Sequence, residues 1–88
     1  MRADTRVRVT VRFFAAARAA AGGESETVDL PAGASIDDLV ATLKARGPAL
    51  SAVLARCSYL HDGIAVRDMS AALLDAQTVD VLPPFAGG

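Results

Sequence analysis

The sequence predicts a small two-layer α+β domain, in which one main amphipathic helix and short helices cover one face of a sheet of about five strands. Three observations carry this prediction. Apolar residues alternate with polar ones between Arg6 and Phe14, an apolar stripe of helical period begins at Ile36, and alternation returns over Thr78–Leu82. The chain has 88 residues, which is room for one domain. One helix over one sheet face is the smallest arrangement that buries both apolar surfaces.

The first two strands are predicted to flank a short helix. The first strand covers Arg6–Phe14, because every second residue from Val7 to Phe13 is apolar. Ala15–Ala21 consists almost entirely of the best helix former, and the Gly22-Gly23 pair ends that helix. Glu26–Leu30 alternates again and forms the second strand. The short connection makes the two strands antiparallel neighbours.

The main helix is predicted to begin at Ser35, whose hydroxyl accepts a hydrogen bond from the first turn. Asp38, three residues later, completes a capping box. Gly47-Pro48 ends the helix, and a further short helix follows before Arg56. The apolar stripe of the main helix consists of Ile36, Leu39, Val40 and Leu43.

The last third of the chain predicts a hairpin and a final strand. Asp62-Gly63 separates two apolar runs, which favours a tight type I′ turn because glycine accepts the positive φ needed there. Thr78–Leu82 alternates and forms the last strand.

Composition excludes several classes of function. Nine basic and ten acidic side chains give a net charge of -1, so binding of nucleic acid through bulk charge is excluded. Arg18 interrupts the apolar run that starts at Phe13, and no segment reaches the ~18 apolar residues of a membrane span. We therefore expect a cytoplasmic protein without a membrane contact. One cysteine and one histidine are too few for a disulfide framework or a zinc site, and we expect no bound metal.

Three other polar features receive structural interpretations. Cys57 is predicted to be a small buried side chain and His61 to be exposed beside a turn. Asp37 and Asp38 stabilise the positive end of the helix dipole and are not a catalytic pair.

The C-terminal segment carries the predicted chemistry. Pro83 and Pro84 directly follow the last strand and cannot extend it, because proline lacks an amide hydrogen. They favour the extended polyproline conformation, so the six residues 83–88 reach at most roughly 20 Å. Gly87 and Gly88 make the end of this segment one backbone thick. The sequence thus predicts a domain over residues 1–82 and an extended tail over residues 83–88 that fits a narrow tunnel in a partner enzyme; the competing interpretation is a frayed terminus.

The chain resembles the MoaD/ThiS family of sulfur carriers, and within it the small subunits of molybdopterin synthase. Three segments carry this resemblance along the whole chain: Phe13-Phe14-Ala15 with Arg18 and Gly22, residues 30–35 before Asp38-Leu39, and residues 82–88. It implies the ubiquitin-like β-grasp fold, a mixed sheet in which the first and last strands lie parallel in the middle. Two departures are Ala76, where relatives have glycine, and Phe85, where they have a smaller β-branched residue.

The resemblance also implies a cycle of sulfur transfer. An adenylating partner uses ATP to activate the Gly88 carboxylate, a sulfur donor converts it to a thiocarboxylate, and the large synthase subunit uses that sulfur on cyclic pyranopterin monophosphate. The implied assembly is a heterotetramer on a large-subunit dimer. The chain is not catalytic alone and binds no cofactor itself.

Site residues follow from the same resemblance. Gly88 is the reactive position, and Pro83, Pro84, Phe85, Ala86 and Gly87 form the inserted tail. Phe14, Ala65 and Leu82 match positions that the family uses to contact partners. For Leu82, a place in the core is an equal alternative. Phe14 is out of phase with Val7–Phe13, so it is also expected to face away from the core.

Two alternatives stay open. One is a sulfur carrier for another pathway, namely cysteine synthesis, thiamine synthesis or transfer-RNA thiolation. The other is a ubiquitin-like binding module with an inert tail.

Overall fold

The computed structural model describes residues 6–84, which form a five-stranded sheet and three helices. Residues 1–5 and 85–88 lie outside this description. The elements, in chain order, are β1 (Arg6–Phe13), α1 (Ala15–Ala21), β2 (Ser25–Pro31), α2 (Ile36–Lys44), α3 (Pro48–Leu54), β3 (Ser58–His61), β4 (Ile64–Ala65) and β5 (Thr78–Leu82).

The strands lie in the order β2-β1-β5-β3-β4. β1 and β5 pair in parallel, with Phe13 opposite Val81, and both are flanked by an antiparallel neighbour. The predicted central parallel pair and the predicted α+β class are therefore confirmed, and the fold is a ubiquitin-like β-grasp. As a consequence, the chain leaves the sheet from its middle strand, held by β1 on one side and β3 on the other.

Strand alternation separates the core from the outer face of the sheet. β1 buries every second residue, and β5 buries Val79 and Val81 on the same side. α2 packs its predicted stripe into this core. The fully buried large side chains are Ile36, Leu39, Leu43, Leu73, Val9, Val11, Val79 and Val81.

Both predicted helix signals are confirmed. Ser35 Oγ accepts from the Asp38 amide at 3.1 Å, and the Asp38 carboxylate accepts from the Ser35 amide at 2.9 Å. Gly22 ends α1 in the left-handed conformation, with φ +83°, and its amide donates to the Arg18 carbonyl. These contacts satisfy backbone groups at the ends of helices that are only seven and nine residues long.

The turn between β3 and β4 holds the start of β5 in place. Asp62 and Gly63 have φ values of +49° and +84°, as a type I′ hairpin between β3 and β4 requires. Asp62 also accepts from the Thr78 amide through Oδ1 at 2.8 Å and donates its own amide to the Thr78 carbonyl. The start of β5 is thereby tied to the hairpin tip.

Two sequence predictions about side chains are corrected. Cys57 is half-buried, because it lies before β3 at the border of the core, and its thiol donates to the Val53 carbonyl at 3.2 Å. His61 is half-buried and not exposed, since Gln77 reaches it from the turn before β5 with 2.6 Å between Nε2 and Oε1. The same Gln77 oxygen accepts from the Leu74 amide, so His61 Nε2 is the donor of this pair.

Candidate docking face and tail origin

The candidate functional site lies on the sheet face opposite the helices, at the end where β1 and β5 terminate. Because side chains alternate along a strand, the residues between the buried ones share this outer face. We call Phe14, Leu60, Ala65 and Leu82 the docking face. Strand register relates them to Asp80. Leu60 of β3 lies opposite both Asp80 and Ala65, and Leu82 follows Asp80 by two residues on the same face. Phe14 follows by two residues Arg12, which lies opposite Asp80 on β1.

Phe14 lies immediately after β1 and caps α1. Its backbone remains extended, with φ -121° and ψ 150°, and its amide donates to the Val81 carbonyl at 3.3 Å. Its own carbonyl accepts from the amides of Ala17 and Arg18, so the backbone is held from both sides. The side chain is 40% exposed, which confirms the predicted outward orientation. An exposed phenylalanine on a rigid backbone suits contact with another protein.

Leu82 is the last residue of β5 and lies opposite Ser58 of β3. It is half-buried, so it belongs neither to the closed core nor to the open surface. Pro83 is also half-buried and Pro84 is exposed, and no strand continues through them. Phe85, Ala86, Gly87 and Gly88 lie outside the described residues.

The hairpin of β3 and β4 adds two apolar side chains to the face. Ala65 is exposed and pairs with the half-buried Leu60, which in turn pairs with Asp80 of β5. Sequence reasoning named Ala65 but missed Leu60. The available signal was its alternation with Tyr59, which puts Leu60 on the side opposite the core.

A second missed feature is the ion pair between Arg12 and Asp80. Arg12 Nε donates to Oδ1 at 2.6 Å and Nη2 donates to Oδ2 at 2.9 Å, a bidentate arrangement. The Asp80 side chain is only 8% exposed, whereas that of Arg12 is 53% exposed. The hydrogen bond and the charge of Asp80 raise the pKa of Arg12 above its ordinary value. The guanidinium also lies 5.7 Å from the centre of the Phe14 ring.

Neither a metal site nor an activated thiol is found among residues 6–84. Within that range, no three histidine, cysteine, aspartate or glutamate side chains are grouped as a metal site requires. Burial raises the pKa of the Cys57 thiol, which disfavours the reactive thiolate. No helix of this range is long and apolar enough to cross a membrane. The described part of the site is thus equipped for binding through apolar contacts and one fixed guanidinium.

The fold and this face define a ubiquitin-like β-grasp protein with a candidate binding surface beside the end of its middle strand. A family model described as "ThiS family" matches residues 11–88. The chain therefore belongs to the ThiS family.

Individual relatives agree with this assignment. The chain is 35% identical over 83 residues to the "Molybdopterin synthase sulfur carrier subunit" of Chlamydomonas reinhardtii, covering 93% of this chain and all of that protein. A solved chain from Pyrococcus furiosus, provisionally named molybdopterin converting factor subunit 1, superposes with a TM-score of 0.81 at 30% identity, over 89% of this chain and 98% of that one. SAMP1, a small archaeal modifier protein from Haloferax volcanii, superposes with a TM-score of 0.80 at 25% identity, over 92% and 99%.

Proposed function

We propose that this protein is the sulfur-carrier small subunit of molybdopterin synthase, and that the C-terminal carboxyl group of Gly88 carries the sulfur atom. The observation that carries the proposal is the 35% identity to a molybdopterin synthase sulfur carrier subunit along that protein's entire length. The expected assembly is a heterotetramer in which two copies of this chain flank a dimer of large subunits.

The proposed chemistry begins with activation of an unreactive group. A C-terminal carboxylate has a pKa of ~3.5 and is ionised at neutral pH, so it is a poor electrophile. A separate adenylating enzyme joins one carboxylate oxygen to the α-phosphorus of ATP and releases pyrophosphate. Hydrosulfide, or its equivalent on a donor protein, then attacks the acyl carbon. The C–O bond to AMP breaks, AMP departs with the electron pair, one proton is released, and a thiocarboxylate remains.

The large subunit then uses the thiocarboxylate. Sulfur passes to cyclic pyranopterin monophosphate, and water restores the carboxylate on Gly88. Two such transfers supply the two sulfur atoms of the dithiolene. Acids and bases for these steps come from the partners, since the docking face of this chain has none arranged for catalysis.

The geometry supports a role in which this chain presents its C-terminus and a partner enzyme supplies the catalytic groups. β5 is the middle strand of the sheet, so the tail starts from the part of the fold with the least freedom to move. Pro83 and Pro84 prevent the tail from folding back into the sheet as a longer strand. The docking face lies beside that starting point, which lets a partner hold the domain while the tail reaches its active site.

The first experiment measures the intact mass of the chain after incubation with a cognate adenylating enzyme, ATP and sulfide. We expect a gain equal to the replacement of one oxygen by sulfur, located on Gly88 by fragmentation. A variant with one residue added after Gly88 is expected to gain nothing, because the reactive carboxyl has moved. The matched control adds the same residue before Met1 and is expected to react normally. An unchanged mass with partners that modify a control carrier would instead support an inert binding module.

A second measurement separates the pathways. The thiocarboxylated chain is mixed with the large synthase subunit and cyclic pyranopterin monophosphate, and loss of its sulfur is followed by mass. Consumption supports the molybdopterin assignment. A thiocarboxylate that forms but is not consumed points to an acceptor in another pathway, such as cysteine synthesis, thiamine synthesis or transfer-RNA thiolation.

A further inference from the structure

We propose that Arg12, fixed by Asp80, is an anion-binding donor on the docking face, and that the partner places an aspartate or glutamate carboxylate against it. The inference rests on the proposed function, since it assigns the chemistry of the large subunit's contact surface. It concerns a residue pair that the apolar docking positions do not include.

Asp80 fixes one edge of the Arg12 guanidinium, and the rest of the side chain is exposed to solvent. Asp80 uses two N–H groups of the guanidinium, one on Nε and one on Nη2. A guanidinium has five such donors, so three are left for other acceptors. Asp80 is almost completely covered while half of the Arg12 side chain is exposed, so the remaining donors lie on the solvent side of the pair.

Any partner that contacts the docking face also covers Arg12. Arg12 precedes Phe14 by two residues on the same side of an extended backbone, a separation of about 7 Å. Across the sheet it lies opposite Asp80, next to Leu82 of the same strand. A protein surface that reaches both Phe14 and Leu82 therefore removes water from the guanidinium.

When a partner covers the Arg12 guanidinium, the N–H groups that Asp80 does not use lose their water and need new hydrogen-bond acceptors. Donors that lose water without gaining a partner oppose binding, and the opposition is greatest for charged groups. A planar carboxylate satisfies two parallel guanidinium donors at once. Asp80 already fixes the orientation of the Arg12 guanidinium, and the Phe14 ring lies beside it. Arg12 therefore loses little conformational entropy when a second carboxylate binds.

The test compares two double variants, each of which removes both charges of one ion pair, in binding to the cognate large subunit. Arg12→Gln/Asp80→Asn removes both charges and leaves no charge buried alone: asparagine has the size of aspartate, and glutamine, although shorter than arginine, keeps an amide that hydrogen-bonds. We expect the dissociation constant to rise roughly 10- to 100-fold, the range typical of a lost charged hydrogen bond. We also expect its salt dependence to flatten.

The matched control is Glu26→Gln/Arg46→Gln. This pair also joins an arginine to a carboxylate, with Nη1 to Oε1 at 2.6 Å, but Glu26 lies opposite Val11 on the helix side of the sheet. We expect its affinity and salt dependence to match the wild type. A single variant, Arg12→Lys, keeps the charge but loses the planar fork, and we expect most of the affinity loss to remain.

The outcomes separate the two proposals. Wild-type affinity and salt dependence in Arg12→Gln/Asp80→Asn would overturn the inference about Arg12 and leave the proposed function intact. An equal loss in the helix-side control would also overturn it, since the effect would then be general. A wild-type chain that does not bind the large subunit at all would refute the proposed function, and this inference with it.

Discussion

The turn that leads into β5 holds an alanine in a conformation that favours glycine. Ala76 has φ +67° and is the third residue of the turn Leu74–Gln77, which is closed by a bond from the Gln77 amide to the Leu74 carbonyl. The Ala76 amide donates to the Arg8 carbonyl at 2.8 Å, and the neighbouring Asp75 carboxylate accepts from the Arg8 amide. The backbone is thus fixed at this φ by β1, and Ala76→Gly is expected to stabilise the protein.

The magnitude follows from two opposing effects. A residue with a Cβ in the left-handed region costs roughly 1–2 kcal/mol, and this cost disappears in the variant. Glycine adds freedom to the unfolded chain, which offsets roughly 0.5–1 kcal/mol. Ala76 is exposed, so little buried area is lost. The net gain in unfolding free energy is about 0.5–1 kcal/mol, equivalent to a rise in Tm of roughly 2–8 °C for a domain of this size.

Urea denaturation followed by circular dichroism measures this difference. The matched control is Ala45→Gly, at the C-terminal cap of α2, where φ is -66° and an alanine has no strain to lose. We expect the control to be destabilised by about 0.5–1 kcal/mol, the opposite sign. A loss of stability in Ala76→Gly equal to that of the control would refute the argument from positive φ.

Three further predictions concern the helix cap, the core and the single tyrosine. Ser35→Ala removes the acceptor for the Asp38 amide and is expected to lower the unfolding free energy by about 1 kcal/mol in urea denaturation; a difference below the error of the method would contradict the capping box. Leu43→Ala opens a cavity at a fully buried position and is expected to lower the unfolding free energy by roughly 2–5 kcal/mol in the same assay; an unchanged unfolding free energy would contradict close packing around Leu43. Burial raises the pKa of Tyr59 to about 12, so phenolate absorbance of the folded chain should appear near that pH, against ~10 in urea. Because the folded pKa is the higher one, this stabilising contribution is complete below pH ~10 and is lost as pH rises towards 12; equal midpoints with and without urea would contradict burial.

Local patterns in the sequence were sufficient for the elements of the fold. β1 and β5 follow from alternation, and the beginning of α2 from Ser35 and Asp38, because these signals depend on neighbours within a few residues. The resemblance to a known family then supplied the parallel pairing of β1 with β5. Contacts of Gly88 and the other tail residues with partners stay predictions.

The side-chain contacts across the sheet were harder to predict from the sequence. Alternation with Val11 and Phe13 places Arg12 on the outer face of β1, but its partner Asp80 lies 68 residues later and is opposite it only because β1 and β5 pair in one register. His61 was expected to be exposed because its partner, Gln77, belongs to a distant turn. Leu60 joined the docking face only once β3 was placed beside β5.

The sequence by itself determined which residues form strands and helices, which side of each is apolar, and that the last strand is followed by Pro83 and Pro84. These are local properties, set by side-chain periodicity, capping hydrogen bonds and the backbone limits of proline and glycine. Only the tertiary structure decided that Asp80 is buried beneath Arg12, and that Leu60 and Ala65 share the outer face of the sheet with Leu82. The physical reason is strand register, since a shift of one residue would turn every side chain of β5 to the opposite face.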